Sequence, residues 1–217
     1  MLTYRELLWL LEQPGDALIF FGGNWCANTQ AAVATINDYA VANDLIVYWY
    51  DPAWDSYWPR DAWDYTITTD PRYGVTGFNH RYDYVPFVKG YVDLVTRYLT
   101  NLTVADDISA DFNGVHYELS FHFDYTDENG DTYSVGSLQV TYLLAYNRDA
   151  VDEDGFPAPI FAFVEDAVYH LEQGADDYIY RTENYEKYTS EVSAVFGAYA
   201  ERTGGQAVQI EKRATVD

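Results

Sequence analysis

Ala17-Leu-Ile-Phe-Phe21, then Gly22-Gly23-Asn24, then Trp25-Cys26-Ala27-Asn28-Thr29, then Gln30-Ala-Ala-Val-Ala-Thr-Ile-Asn-Asp-Tyr-Ala40 is the stretch that decides the fold. The first run is apolar and of strand length, the glycines make a turn, and the last run reads as a helix. A buried strand therefore ends in a tight turn that delivers one thiol to the start of a helix. Cys26 is the single cysteine of the chain. Unpaired backbone N–H groups and the positive end of the helix dipole make such a position favourable for a thiolate.

The flanks extend this unit. Thr3-Tyr4-Arg5-Glu6 has the spacing of a capping box and opens a short helix through Leu11, closed by Pro14-Gly15. Leu7, Leu8 and Leu11 give that helix an apolar face. After the Cys26 helix, Asn43-Asp44 breaks the pattern, and Leu45-Ile-Val-Tyr-Trp-Tyr50 predicts a second strand ending at Asp51-Pro52. Helix, strand, helix and strand in this order predict a right-handed βαβ unit with a helix in front.

Strand, glycine turn, Trp25-Cys26-Ala27-Asn28-Thr29 and helix together resemble the active-site turn of the thioredoxin superfamily, with Thr29 standing where the second cysteine of C-x-x-C would be. The resemblance covers residues 3–51 and 139–203. It implies an α/β fold with a mixed central sheet flanked by helices, in a single domain over residues 1–217. Residues 52–138, with a helix and a β-hairpin, read as an insertion between the βαβ and ββα halves. Two marks of the family's oxidoreductases are altered. With Thr29 in the resolving position, an intramolecular disulfide is chemically impossible. The family's cis-proline is expected just before Tyr142, and the sequence there is Val140-Thr141, which places the equivalent position at Thr141. Val85-Pro86 looks like the missing dipeptide, but a helix follows it.

Composition limits the function classes. With 48% hydrophobic residues in 217, a real core is available and global disorder is excluded. The 22 tyrosines and 6 tryptophans exceed what a small core needs, so some line surfaces or clefts. A net charge of −23, from 35 acidic and 12 basic residues, repels phosphate backbones and anionic membranes. No nucleic-acid or membrane partner is expected. A single cysteine requires no oxidising compartment. The first 14 residues carry Arg5, Glu6 and Glu12 and read as an amphipathic helix, not a signal core. The expectation is a cytoplasmic protein, or a secreted or lipid-anchored one if the native N-terminus has been trimmed.

Further along, residues 52–83 interleave aromatics (Trp54, Tyr57, Trp58, Trp63, Tyr65) with Asp55, Asp61 and Asp64 and read as an ordered loop. Val85-Pro86 opens a helix that runs to about Asn101. Residues 115–125 alternate as one strand, with His116, Glu118, Ser120, His122 and Asp124 on one face. Thr126-Asp-Glu-Asn-Gly130 is a hairpin turn. The return strand from Thr132 is expected to bend at Gly136 and run into Val140–Tyr146. Asp152-Glu-Asp-Gly155 turns again, and 158–164 pairs back. Thr182 starts a last helix, with Tyr185, Tyr188, Val192, Val195, Phe196 and Tyr199 inward, stopped by Gly204-Gly205.

Three readings of Cys26 stay open. The resemblance implies a monothiol redox centre, forming mixed disulfides that an external protein thiol or low-molecular-weight thiol resolves, with Thr29 Oγ donating to the thiolate. A peroxide-reactive thiol is the second; peroxidase relatives place an arginine at the sulfur, and Arg60 and Arg148 are the candidates. A packed, inert sulfur is the third. A non-catalytic peptide- or ligand-binding domain is the alternative to redox chemistry. Its candidate residues are Trp25, Thr141, Trp54 and Trp58, at the carboxyl ends of the parallel strands. His116, Glu118, His122 and Asp124 are weak metal candidates, since a solvated sheet face explains them. Asp127–Asp131 is a turn, because Thr132 and Leu138 stand where a calcium loop needs Gly and Glu. No cofactor or metal is expected.

Overall fold

The computed structural model describes residues 1–24, 26–51, 85–104, 108–112, 115–119, 122–126, 129–136, 138, 141–165, 169–170, 179–180 and 182–204. Trp25, Trp54, Trp58, Arg60 and the aromatic segment that the sequence singles out lie outside these residues. The chain is mixed α/β and divides into two compact units. Met1–Asp51, Val140–Ala150 and Ile160–Asp217 form the first, and Pro52–Gln139 with Val151–Pro159 the second.

In the first unit the order is α1 (Tyr4–Leu11), β1 (Ala17–Phe21), α2 (Ala27–Ala42) and β2 (Val47–Tyr50). The capping box at Thr3 forms as expected: Glu6 N–H donates to Thr3 Oγ1 (3.3 Å), and the Thr3 N–H donates to Glu6 Oε2 (2.7 Å). These bonds hold the Glu6 carboxyl below its ordinary pKa, the backbone bond from Thr3 first. Strand β2 starts at Val47, later than the expected Leu45, because Leu45 closes the preceding helix. Its N–H donates to Ala40 O (2.9 Å) and that of Asp44 to Val41 O (3.3 Å), with Asp44 at φ 51°. That is a Schellman motif, and it consumes the residues that the apolar pattern assigns to the strand.

Beyond the second unit the chain returns as β7 (Tyr142–Tyr146) and β8 (Ile160–Val164), as described below, with the strands numbered along the whole chain. The four-stranded sheet has the order β2-β1-β7-β8. Strands β1 and β2 are parallel, in the register Leu18–Val47 to Phe21–Tyr50. Strand β7 runs antiparallel to β1, from Ala17–Tyr146 to Phe21–Tyr142. Strand β8 pairs antiparallel with β7, with a bulge at Ala145/Tyr146. The last helix, Thr182–Thr203, starts as expected and ends at Gly204 with φ 79°, a left-handed stop that suits glycine.

Alternation divides the sheet residues between two layers. Leu18, Phe20, Leu143, Ala145 and Val164 pack with Ala32, Ile36, Tyr39 and Ala40 of α2 and with Tyr188, Val192, Val195 and Phe196 of the last helix. Tyr39 and Phe196 stack with ring centroids 5.6 Å apart. The residues of opposite parity, Ile19, Phe21, Tyr50, Leu144 and Tyr146, are buried as well, on the side of α1 with Leu7 and Leu11. Tyr146 Oη donates to Leu11 O (3.2 Å), and Tyr50 meets both Tyr4 and Phe21 ring to ring. A sheet covered on both faces explains why all five residues of β1 and of β7 are buried.

The second unit contains α3 (Val85–Arg97), β3 (Ile108–Phe112), β4 (Val115–Leu119), β5 (His122–Thr126) and β6 (Thr132–Gly136). The alternating run 115–125 is two strands, not one. Strand β4 pairs with β3, which has no equivalent in the sequence-based reading, and β5 pairs with β6 across the Asn129-Gly130 turn. His116 and Glu118 therefore belong to one two-stranded sheet and His122 and Asp124 to another, so they do not share a strand face. Strand β6 ends at Gly136 and does not continue into β7. Tyr91 fixes this end of β6: its hydroxyl donates to Gly136 O and accepts from Leu138 N–H, both at 2.6 Å. Helix α3 stops at Arg97, short of Asn101, where Tyr98 and Leu99 N–H both turn back to Leu94 O. A short pair, β9 (Tyr169–His170) with β10 (Ile179–Tyr180), precedes the last helix, α4. It too goes unread in the sequence.

Candidate functional site

The turn after β1 is built around the missing side chain of Gly22. A Cβ there would lie 2.9 Å from the Phe20 ring and 2.9 Å from Thr29 Oγ1, so only glycine lets the strand end pass beneath the first turn of α2. Gly22 is tied on both sides. Its N–H donates to Tyr50 O (3.1 Å), and its carbonyl accepts from Trp49 Nε1 (2.5 Å). Trp49 also packs against Phe20, with centroids 6.0 Å apart. Gly23 N–H donates to Thr29 Oγ1 (3.2 Å), and Cys26 N–H to Gly23 O (2.9 Å). Gln30 Nε2 reaches back to Asn24 O (2.7 Å). These bonds tie Gly22 to β2 and Gly23 to the first turn of α2, so the glycine turn is held by its neighbours rather than by its own propensity.

Cys26 is the N-cap of α2, with φ −96° and ψ 123°, one residue before the first helical turn in which the sequence places it. Its carbonyl accepts the first intrahelical bond, from Gln30 N–H (3.1 Å). The thiol makes no capping bond, is half-buried, and is in no disulfide. No acidic side chain occupies the first turn of α2, so nothing there opposes negative charge at the helix start. Thr29, three residues on, is 1% exposed. Its hydroxyl accepts from the backbone of the turn, a structural role that the sequence does not signal.

Thr141 is also buried, at 2%, and its hydroxyl has no hydrogen-bond partner among the described residues. The last pair of the β1–β7 ladder is Phe21 with Tyr142, and Thr141 directly precedes β7 at this end. Cys26, Thr29 and Thr141 thus gather at the carboxyl end of β1. Arg148 does not join them. It follows the end of β7 that pairs with Ala17, its guanidinium donates to Glu12 O, and it meets Asp149 at 3.2 Å. A strand's length separates it from Cys26, which removes it as a partner for the sulfur. Trp49 is the site residue that sequence reasoning missed; the available signal was an aromatic at the end of the strand neighbouring a Gly-Gly turn.

Among the described residues no three His, Cys, Asp or Glu side chains are grouped to hold a metal ion. Among them, too, no helix is long and apolar enough to cross a membrane. No family model, curated protein or solved structure matches the chain.

Proposed function

We propose that this is a thioredoxin-like protein, divergent in its active-site turn, and that Cys26 acts as a monothiol in thiol–disulfide exchange. The observation that carries the reading is the sheet order β2-β1-β7-β8 with Cys26 at the N-cap of the helix that follows β1. A parallel pair and an antiparallel pair joined through β1, with α2 and α4 on one face, is the arrangement expected of the two halves of that fold. On this reading, residues 52–138 form an insertion between the halves.

The step is an exchange of bonds. The Cys26 sulfur attacks a disulfide, a new S–S bond forms to one sulfur, and the other leaves as a thiol. With Thr29 in place of a second cysteine, the mixed disulfide is resolved by an external protein or low-molecular-weight thiol. The hydrogen-bonded turn presents the sulfur, and the half-buried position keeps it accessible to such a partner. The test is alkylation by iodoacetamide, followed by intact mass. Rapid modification of the native protein at Cys26, with no turnover in insulin reduction, supports the reading. Modification only after unfolding, or Cys26-dependent turnover with insulin, contradicts it.

A further inference from the structure

Carboxylates far outnumber the groups that can pair with them. With 35 Asp and Glu against 12 Lys and Arg, 23 carboxylates would be left over even if every base took one acid. The fold leaves many of these at the surface. Asp44, Asp124, Asp152, Glu153, Asp154 and Glu201 are all exposed. Asp152 Oδ1 accepts from the N–H groups of Asp154 (3.0 Å) and Phe156 (2.8 Å), which folds three consecutive carboxylates into one tight turn. Several bases meet their own sequence neighbours. Arg148 meets the adjacent Asp149 (3.2 Å), Lys187 meets Glu191 one helical turn on (3.7 Å), and Arg97 lies 5.5 Å from the ring centroid of Tyr98. Arg202 joins distant segments through Asp16 (2.9 Å). A pair of opposite charges cancels itself and leaves the field of the excess in place.

We infer that the native fold is gated by ionic strength: it is compact in concentrated salt, where dissolved cations screen the excess carboxylates, and it loosens in dilute buffer. Cys26 has no part in this. Net charge far from zero destabilises a compact state by self-repulsion, because unfolding lets like charges move apart. Stability is a small difference between large terms, so repulsion summed over a net charge of −23 is large enough to decide it. Raising the salt from about 0.1 M to about 1 M cuts the screening length from about 10 Å to about 3 Å. Repulsion between exposed carboxylates then fades. The apolar core of the sheet with α2 and α4 contains no charged side chain, so its contacts need no such relief.

The test is thermal unfolding of the full chain at neutral pH in a potassium chloride series, followed by tryptophan fluorescence and far-ultraviolet circular dichroism. Tm is expected to rise by about 10 °C or more between about 0.1 M and about 1 M salt. An unchanged or falling Tm overturns the inference. Salt can also strengthen apolar burial, and a variant separates the two causes. Asp44→Asn, Asp124→Asn, Glu153→Gln, Asp154→Asn and Glu201→Gln together remove five exposed charges and take the net charge from −23 to −18. The variant's Tm in about 0.1 M salt should exceed that of the wild type. Its rise with salt should be about 40% smaller, because the repulsion scales with the square of the net charge. An equal rise in the variant overturns the inference, since charge is then not the cause. If the variant does not fold, the wild type decides by a second comparison. In dilute buffer, about 0.3 M guanidinium chloride screens charge as a salt and should raise Tm, whereas the same concentration of urea should lower it. A lowering by both denaturants overturns the inference.

Discussion

The two ends of β1 are held by opposite means. At the amino end, Asp16 is a charged knot: its Oδ1 accepts from Asn147 Nδ2 (2.7 Å) and from Arg202 Nε (2.9 Å), and its backbone carbonyl accepts from Tyr199 Oη (3.3 Å). Burial, and then the Asp16 carboxylate, push the Tyr199 pKa up. Arg202 also lies over the Phe161 ring at 4.7 Å, so this end ties β1, β7, β8 and α4 together. At the carboxyl end the bonds that hold Gly22 and Gly23 are made by uncharged groups. The Gly22 carbonyl is held by an indole and the Gly23 N–H by a hydroxyl, and the half-buried thiol follows in the same turn. Charge-assisted bonds fix one end, whereas neutral bonds to backbone groups fix the other.

Substitutions should separate the two ends. Gly22→Val should have the largest effect, because its branched side chain enters the space that the Phe20 ring and Thr29 Oγ1 occupy. Chemical denaturation should show a loss of about 3 kcal/mol, as for an overpacked core, and native Cys26 alkylation should change with it. Asp16→Ala should cost about 1–2 kcal/mol, since it removes two charge-assisted bonds, one of them to a partly exposed arginine. Its native alkylation rate at Cys26 should match the wild type; a changed rate would mean that the two ends are coupled. Thr29→Val leaves the buried Gly23 N–H without an acceptor and should cost about 1 kcal/mol, with altered alkylation. The smallest effect belongs to the α1 cap, whose bonds are exposed. Thr3→Ala should lower Tm slightly near neutral pH. The Glu6 carboxyl is held below its ordinary value in the folded state, so its contribution is present above that range and is lost as pH falls through the lowered value. The difference between Thr3→Ala and wild type should therefore shrink in acid; a difference constant with pH would exclude the Glu6 contribution.

The βαβ half was legible because its signals are local. The Thr3/Glu6 spacing, the Gly22-Gly23 turn and the apolar run 17–21 each specify their structure within a few residues. The pairing of β7 beside β1 was expected only from the resemblance, since a five-residue apolar stretch does not name its neighbour. The run 115–125 misled because perfect alternation says which residues share a face, not where a strand stops. There β4 ends at Leu119 and β5 begins at His122, and each pairs within its own two-stranded sheet. Leu45 was misassigned because a left-handed Asp44 carries no pattern. At the site, Cys26 stood out by its uniqueness and its place before a helix. The engagement of Thr29 with Gly23 depends on how a turn folds back over a strand, which periodicity does not encode. Arg148 was a candidate only as a charge in the sequence; the β1–β7 register puts it at the other end of the sheet.

The central claim is that the carboxyl end of β1 presents a working thiol. Its most direct test is the rate at which Cys26 takes up glutathione from glutathione disulfide, in the native protein and in urea, read by intact mass. The account predicts one adduct per chain, formed at least about tenfold faster in the folded state, where the turn and the helix start favour the attacking sulfur. An adduct that forms only as the protein unfolds would contradict it and identify Cys26 as a packed, inert residue.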